Sequence, residues 1–438
     1  MNYKFYRSMD GLGRYLRLLH LLLIAASLMG CSSLKKRSFE KKVAKELQLN
    51  RFGEHFTGLM VYDPTSTDTL VSVNANQYFT PASNTKIFTL YTALKILEDS
   101  VPALKYSITG DTLFFSGTGN PSVLHPYFRD SSALNLLGQF GQLVYVPGNF
   151  SEGRYGPGWA WEDFDSSFSP ERSSFPLYGN VVRVTQQEGL LTEPILFTDS
   201  VQVSVIDRRR EEKQNTFYFD PSRTDTLEIP YITSDRLTLA LLENVLGKSI
   251  SIADAFPREK TKIIMGATPA DSLYKRLMQE SDNFIAEQLL MVSSFVLSDT
   301  ISSGLARDFV LDSYLSDMAY KPRWVDGSGL SRYNLFTPSS MVYVLKKLLD
   351  EKGKVWLFSI FPSGGKNGTL EDWYAGNPHP YVFAKSGTLG NTYCLSGYLI
   401  SKSGNILIFS FMNNHYLEPS SRIKARMQTV LERIRDSY

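Results

Sequence analysis

Three groups of residues in this 438-residue chain carry side chains suited to acyl-transfer chemistry. In chain order they are Ser83-Asn84-Thr85-Lys86, Ser281-Asp282-Asn283 and Lys385-Ser386-Gly387. A serine hydroxyl becomes a nucleophile when a neighbouring base removes its proton, and a neutral lysine amine can serve as that base. The three groups therefore predict a serine enzyme that moves protons with lysine.

The first group lies at the predicted start of a helix. Pro81-Ala82 precedes Ser83, and apolar residues then recur at the spacing of one buried helix face, at Ile87, Leu90, Leu94 and Leu97. A residue three positions on lies one turn away on the same face, so we expect Ser83 and Lys86 to meet at the helix N-terminus. An N-cap serine followed by a surface lysine gives the same pattern, which also occurs at Ser272/Lys275 and Ser363/Lys366. The other two groups therefore decide the interpretation.

Ser281-Asp282-Asn283 separates two predicted helices. Apolar residues at helical spacing precede it between Leu273 and Met278 and follow it between Phe284 and Leu290. A tight turn between helices lets polar side chains point into a cleft, although an ordinary Asx turn with an N-cap has the same composition.

Lys385-Ser386-Gly387 continues the β-prone run Tyr381–Ala384, so we expect these residues on a strand. Gly387 lacks a side chain, which would let a substrate backbone lie close to the strand, and Thr388 offers a backbone N–H there. A second Lys-Ser-Gly at 402–404 falls in a predicted hairpin turn, and we interpret it as structural.

Together the three groups form the signature of penicillin-binding proteins and class A β-lactamases, with serine in place of the usual threonine in the third. Longer stretches make the chain resemble the S13 peptidase family, the D-alanyl-D-alanine carboxypeptidases/endopeptidases known as class C low-molecular-mass penicillin-binding proteins. These stretches are Phe79–Ser83, Gly110–Leu113, Ser281–Glu287, Asp326–Ser331, Lys385–Leu389 and Leu395–Tyr398. The resemblance departs at Gly368–Asp372, where similar proteins carry basic residues after the leucine.

The resemblance implies a penicillin-inhibited serine DD-peptidase that acts on the D-Ala-D-Ala end of peptidoglycan stem peptides. Ser83 would be the nucleophile, Lys86 its base and Ser281 the relay to the leaving group. Substrate would be held by the side chain of Asn283, by Lys385 and Ser386 at its carboxylate, beside Gly387, and by the backbone N–H of Thr388. That N–H and the N–H of Ser83 would form an oxyanion hole. We also expect burial and the Lys385 cation to lower the pKa of Lys86.

Two other functions remain compatible with these residues. β-Lactamases and esterases use the same trio, and rapid penicillin turnover would identify them. A catalytically idle lipoprotein that binds cell wall would keep the pocket without acylating Ser83. Carboxypeptidase and endopeptidase action are not separated by the sequence, because both cut beside D-alanine.

The N-terminus predicts a lipoprotein signal over residues 1–30. Basic residues precede the apolar run Leu18–Leu28, which is too short to span a bilayer. Leu28–Cys31 is similar to a lipobox, although Met29 is not the usual small residue. We therefore expect lipid on Cys31, a tether over 31–39, and a membrane-anchored enzyme facing the periplasm in the cell envelope. Plain secretion with an accidental cysteine is the alternative.

The rest of the composition argues against several partners. The chain has two cysteines, so a lipidated Cys31 would leave Cys394 without a disulfide partner. Because Cys394 lies in a predicted apolar strand, we expect it to be a small core residue. Five scattered histidines give no recognisable zinc cluster, and we expect no metal and no cofactor. The formal net charge is +2, and the basic signal segment accounts for it, which argues against nucleic acid.

The predicted fold class is α+β, with an antiparallel sheet covered by helices on both faces, as the family resemblance implies. Early strands (Phe56–Tyr62, Leu70–Val73) would join late ones that begin at Tyr381, Thr392 and Ile406. Helices near Glu40–Leu49 and Ile423–Ile434 would cover one face, and the helices with Ser83 and Ser281 the other. We predict a discontinuous catalytic domain (40–107 and 256–438) and an inserted β-rich domain (108–255).

Overall fold

The computed structural model describes residues 37–52 and 54–438. The predicted signal peptide, Cys31 and the first residues of the tether lie outside this part of the chain. Within it, no helix is both long and apolar enough to cross a membrane.

The described chain contains both strands and helices. The strands are β1 (Phe56–Asp63), β2 (Asp68–Val73), β3 (Ser100–Thr109), β4 (Thr112–Gly117), β5 (Gln142–Tyr145), β6 (Val181–Gln186), β7 (Leu190–Glu193), β8 (Val201–Val203), β9 (Phe217–Phe219), β10 (Leu227–Pro230), β11 (Ile250–Ile252), β12 (Lys262–Pro269), β13 (Val382–Leu389), β14 (Thr392–Ile400) and β15 (Ile406–Asn414). The helices are α1 (37–49), α2 (Lys86–Ile96), α3 (Ser132–Leu137), α4 (Asp235–Leu246), α5 (Ala270–Gln279), α6 (Asn283–Ser298), α7 (Ser303–Ser313), α8 (Pro338–Ile360) and α9 (Ser420–Ser437).

The motif residues are organised around a five-stranded antiparallel sheet of order β13-β14-β15-β1-β2. It joins the two ends of the described chain, since β1 pairs with β15. β14 is buried along nearly its whole length because helices cover both of its faces, so its sequence does not alternate between apolar and polar residues. The predicted early and late strands are confirmed.

Helices cover both faces of this sheet, as predicted. α1 and α9 bury apolar stripes, such as Phe39, Val43 and Leu47, against one face. α2, α5, α6 and α8 form the core on the other face, where they pack on Tyr398 and Ile408. Motif residues from α2 and from the turn before α6 therefore lie on the same side of the sheet.

Most of the chain between α2 and α5 forms separate sheets. One has the order β11-β5-β4-β3-β12, a second β10-β6-β7, and a third pairs β8 with β9, and much of this region shares an apolar core of its own. The predicted division at residues 107/108 falls within β3, and the domain boundaries stay a prediction. The second Lys-Ser-Gly lies in the turn between β14 and β15, as expected, where Gly404 has φ +86°.

Candidate active site

Ser83 lies in a 3₁₀ turn, Ala82–Thr85, that leads directly into α2 at Lys86. Ala82 has φ +48°, an uncommon value for a residue with a side chain, so the turn holds a strained backbone immediately before the serine. The Lys86 side chain is completely buried, and its Nζ lies 2.9 Å from the Ser83 Oγ. The structure therefore brings the predicted nucleophile and base together.

The Lys86 amine has two further partners. Its Nζ donates to Asn283 Oδ1 at 2.6 Å and to the Ser328 carbonyl at 2.7 Å. Both are carbonyl oxygens, which only accept hydrogen bonds. A neutral amine has two hydrogens, so once both are donated its lone pair faces the Ser83 hydroxyl. This geometry suits an amine that takes the proton of Ser83.

The Ser281 turn connects α5 to α6, as predicted. Asp282 caps α6 by accepting from the Ile285 N–H at 3.0 Å, and Arg276 binds its other oxygen at 2.8 Å. These contacts leave Asn283 at the first position of α6, with its side chain between Lys86 and the Phe168 carbonyl, to which Nδ2 donates at 2.8 Å. Ser281 has φ +57° and projects from this turn.

Both lysines of the site are buried, and burial disfavours their charged forms. Burial lowers the pKa of Lys86 to about 8, although Asp326, Asp282 and Glu287 oppose the shift. Burial lowers the pKa of Lys385 well below its usual range, and the neighbouring Lys86 lowers it further. Protonation of one lysine therefore disfavours protonation of the other.

Strand β13 is held against the Ser83 turn. The buried Asn84 side chain donates from Nδ2 to the carbonyls of Lys385, at 2.9 Å, and Cys394, at 3.3 Å. A Cβ on Gly387 would lie 2.7 Å from the Pro81 carbonyl and 2.8 Å from the Ser83 nitrogen. We expected Gly387 to make room for a substrate, but the structure shows that it makes room for the backbone of Ser83, the predicted nucleophile.

The backbone of Thr388 faces the open edge of β13. The Ala384 N–H, on the side away from β14, donates to the Pro362 carbonyl at 3.0 Å. Because N–H groups alternate in direction along a strand, the N–H groups of Ser386 and Thr388 point to the same outer edge. This places the Thr388 N–H on the edge where the predicted oxyanion hole requires it.

Ser386 has a partner that the sequence pattern did not indicate. Its hydroxyl donates to Thr369 Oγ1 at 2.7 Å. Thr369 belongs to the 3₁₀ turn Gly368–Leu370, and a Cβ on Gly368 would lie 2.8 Å from the Gln279 carbonyl. The segment that departs from the family pattern thus contacts both the third motif and the end of α5.

A cleft of about 600 Å³ opens beside the hydroxyl of Ser83. Among the predicted site residues, those that line it are Ser83, Ser281, Asn283 and Thr388. Lys86 and Lys385 lie behind its wall as buried groups. The arrangement places the predicted nucleophile, the predicted base and a second hydroxyl close to one cleft.

The profile of the D-Ala-D-Ala carboxypeptidase 3 (S13) family matches residues 39–118 and 138–434. The chain belongs to this family. It is 28% identical over 176 residues to the D-alanyl-D-alanine carboxypeptidase DacB of Haemophilus influenzae, an alignment that covers 39% of this chain and 37% of the relative. The chain thus matches little more than a third of that relative's length.

Solved structures share the fold of this family member. Penicillin binding protein 4 of Haemophilus influenzae superposes with a TM-score of 0.68 and 21% identity, over 89% of this chain and 97% of that one. A predatory peptidoglycan endopeptidase of Bdellovibrio bacteriovorus superposes with a TM-score of 0.50 and 16% identity, over 86% of this chain and 92% of that one. The predicted α+β fold of a penicillin-binding protein is confirmed.

Several residues around Lys86 received no role from the sequence. The buried Asp326 accepts from the Gly329 and Ser331 N–H groups, at 2.9 and 2.7 Å, and from Trp159 Nε1 at 2.9 Å. These bonds shape the loop that presents the Ser328 carbonyl to Lys86. Gly329 has φ +84°, and a glycine at this position could have indicated a turn with an unusual backbone conformation. The contact of this loop with Lys86 could not be predicted from local spacing.

The described residues contain no group of three or more His, Cys, Asp or Glu side chains that could hold a metal ion. Cys394 is a free thiol in β14, and burial raises its pKa to about 12. A protonated, buried thiol of this kind is a core residue and a poor nucleophile.

Proposed function

We propose that this chain is a serine DD-peptidase that cleaves the terminal D-Ala-D-Ala bond of peptidoglycan stem peptides through an acyl-enzyme on Ser83. The observation that carries the proposal is the contact of the buried Lys86 amine with the Ser83 hydroxyl and two carbonyl acceptors. Membership of the S13 family supports the choice of substrate class.

Acylation begins when the Ser83 Oγ attacks the carbonyl between the last two D-alanines. The hydroxyl proton passes to Lys86 Nζ, and negative charge develops on the carbonyl oxygen, which the N–H groups of Ser83 and Thr388 stabilise. Each such donor contributes about 3 kcal/mol to the stabilisation of a transition state. When the C–N bond breaks, the leaving nitrogen takes up the proton from Lys86 through the hydroxyl of Ser281.

The substrate carboxylate selects which lysine is charged. An anion beside Lys385 stabilises its ammonium form, and a charged Lys385 makes it harder to protonate the neighbouring Lys86. A bound carboxylate therefore favours the neutral Lys86 that the first step needs. Ser386 lies next to Lys385 and, with Thr369, offers paired hydroxyls at the same edge of β13.

Deacylation uses the same groups. A water molecule in the cleft attacks the ester carbonyl, Lys86 accepts a proton from this water, and the proton returns to Ser83 Oγ as the ester bond breaks. Free Ser83 and a shortened stem peptide result. Asn283 holds Lys86 and the substrate amide in place during both halves of the reaction.

We further propose that the enzyme is anchored by lipid on Cys31 and faces the periplasm in the cell envelope. The proposal rests on the basic stretch, the short apolar run and the Leu28–Cys31 sequence. A lipid anchor would keep the cleft close to the wall polymer.

Incubation with purified muropeptides tests the function. We expect mass spectrometry to show loss of one D-alanine from pentapeptide muropeptides, and cross-linked dimers reveal any endopeptidase action. Ser83→Ala should abolish both reactions. Unchanged muropeptides together with fast, catalytic penicillin hydrolysis would identify a β-lactamase instead. No acylation and no turnover would leave a cell-wall-binding protein.

A further inference from the structure

Glu287 is an ionisable residue inside an apolar helix and has no part in the mechanism above. It lies in α6, one turn after Asn283, among residues that pack into the helical core. Its side chain is only 1% exposed. A charged group is rarely buried this deeply unless it is paired, so its position calls for a physical reason.

The Glu287 carboxylate contacts the loop that presents its carbonyl to Lys86. Glu287 Oε1 accepts the N–H of Ser328 at 2.7 Å, while the carbonyl of Ser328 accepts from Lys86 Nζ at 2.7 Å. Gly327 fits the loop against α6, since a Cβ there would lie 2.6 Å from the Ala286 carbonyl. One residue, Ser328, therefore connects Glu287 to the base.

Charged groups surround Glu287 on several elements. Arg172 is the nearest cation, with Nη1 at 3.5 Å from Glu287 Oε2, and it also pairs with Glu152 at 2.9 Å. Asp326 faces Glu287 from the loop, Arg307 acts on it from α7, and Lys86 from α2.

Burial, followed by Asp326, raises the pKa of Glu287 to about 7, against the opposing effect of Arg172. The negative charge of Glu287 in turn raises the pKa of Lys86, so the protonation of the two groups is linked.

We propose that Glu287 is a positioning residue that holds the Ser328 carbonyl on Lys86 and stabilises the ammonium form of Lys86 with its negative charge. The inference rests on the proposed function of Lys86 as the base. When Ser83 transfers its proton, a buried cation forms, and a buried carboxylate nearby makes that transfer less costly.

Loss of the charge should therefore have two effects. The pKa of Lys86 falls, so the acidic limb of the acylation profile moves to lower pH. Lys86 also becomes a weaker base, so the plateau rate falls. A purely structural role would lower the plateau and leave the limb where it is.

The test is the pH dependence of Ser83 acylation by a fluorescent penicillin, measured in Glu287→Gln and Glu287→Asp. Glutamine keeps the acceptor oxygen for Ser328 and removes the charge, and Arg172 keeps Glu152 as its partner. We expect the limb of Glu287→Gln to move down by about one pH unit, at the low end of what one nearby charge produces. Aspartate keeps a charge one methylene further away, so we expect a smaller shift in the same direction.

Glu171→Gln is the matched control. Glu171 is equally buried and paired, with Arg154, but its carboxylate contacts none of the groups that bind Lys86. The acidic limb of the acylation profile of Glu171→Gln should coincide with that of the wild type. The proposal would be overturned if a folded Glu287 variant showed the acidic limb of its acylation rate at the same pH as the wild type. If the wild type itself were not acylated, the proposed function would fail first, which keeps the two failures distinct.

Discussion

Replacing Gly387 by alanine should slow acylation of Ser83 without unfolding the protein. The new Cβ would lie 2.7 Å from the Pro81 carbonyl, 2.8 Å from the Ser83 nitrogen and 3.0 Å from the Asn84 nitrogen. All three are backbone atoms of the turn around Ser83, so no flexible side chain can move aside. Real Cβ atoms essentially never lie within 3.0 Å of such atoms, so the turn and β13 must move apart.

Two magnitudes follow from this separation. Overpacking of this kind costs about 1–3 kcal/mol, which a chain with extensive cores on both faces of its sheet can absorb. The proposed oxyanion hole would be affected more, because its N–H groups come from Ser83 on one side of the gap and Thr388 on the other. Loss of one well-aligned donor corresponds to a drop of about 100-fold to 1,000-fold in rate.

The assay is the second-order rate of labelling by a fluorescent penicillin, with thermal unfolding of the same samples. Gly141→Ala is the control, because a Cβ there meets no atom within 4 Å. A folded Gly387→Ala variant that acylates within about threefold of the wild type, a difference below 1 kcal/mol, would refute this account of β13.

Three further predictions concern the lysines and the anchor. Acylation needs neutral Lys86, and the pKa of Lys86 is lowered to about 8. The labelling rate should therefore rise about tenfold per pH unit below about pH 8 and level off above it, whereas a rate that does not change with pH would contradict this. Lys385→Ala should slow acylation by carboxylate-bearing substrates far more than by an uncharged ester analogue, whereas equal losses would make Lys385 a general electrostatic or proton-transfer group. Cys31→Ser should abolish fatty-acid labelling and move the protein out of the membrane fraction with penicillin labelling intact; unlipidated wild-type protein that begins near residue 31 would rule out the anchor.

Local spacing was sufficient to predict much of the site. The contact of Ser83 with Lys86 needs only one helical turn, and the Ser281 turn needs only two apolar helices around a polar triplet. The arrangement of the strands in one sheet with helices on both faces followed from the family resemblance, whereas the single strands and helices followed from local residue patterns. These features depend on residues close together in sequence.

The features that could not be predicted depend on long-range packing. Whether Gly387 faces a substrate or the Ser83 turn is set by how β13 lies against residues 81–84, which are some 300 positions earlier. Likewise, nothing near Ser386 indicates that Thr369 binds its hydroxyl. Glu287 did carry a signal, a lone acid in an apolar helix, but its connection to Lys86 through Ser328 appears only in the fold.

The most direct test of the central claim is to locate the penicillin adduct. The protein is incubated with benzylpenicillin, its intact mass is measured, and the modified peptide is sequenced. We predict one adduct per chain, on Ser83, and no adduct in Ser83→Ala. Full labelling of Ser83→Ala, with the adduct on Ser281 or any other residue, would contradict the assignment of Ser83 as the nucleophile that Lys86 activates.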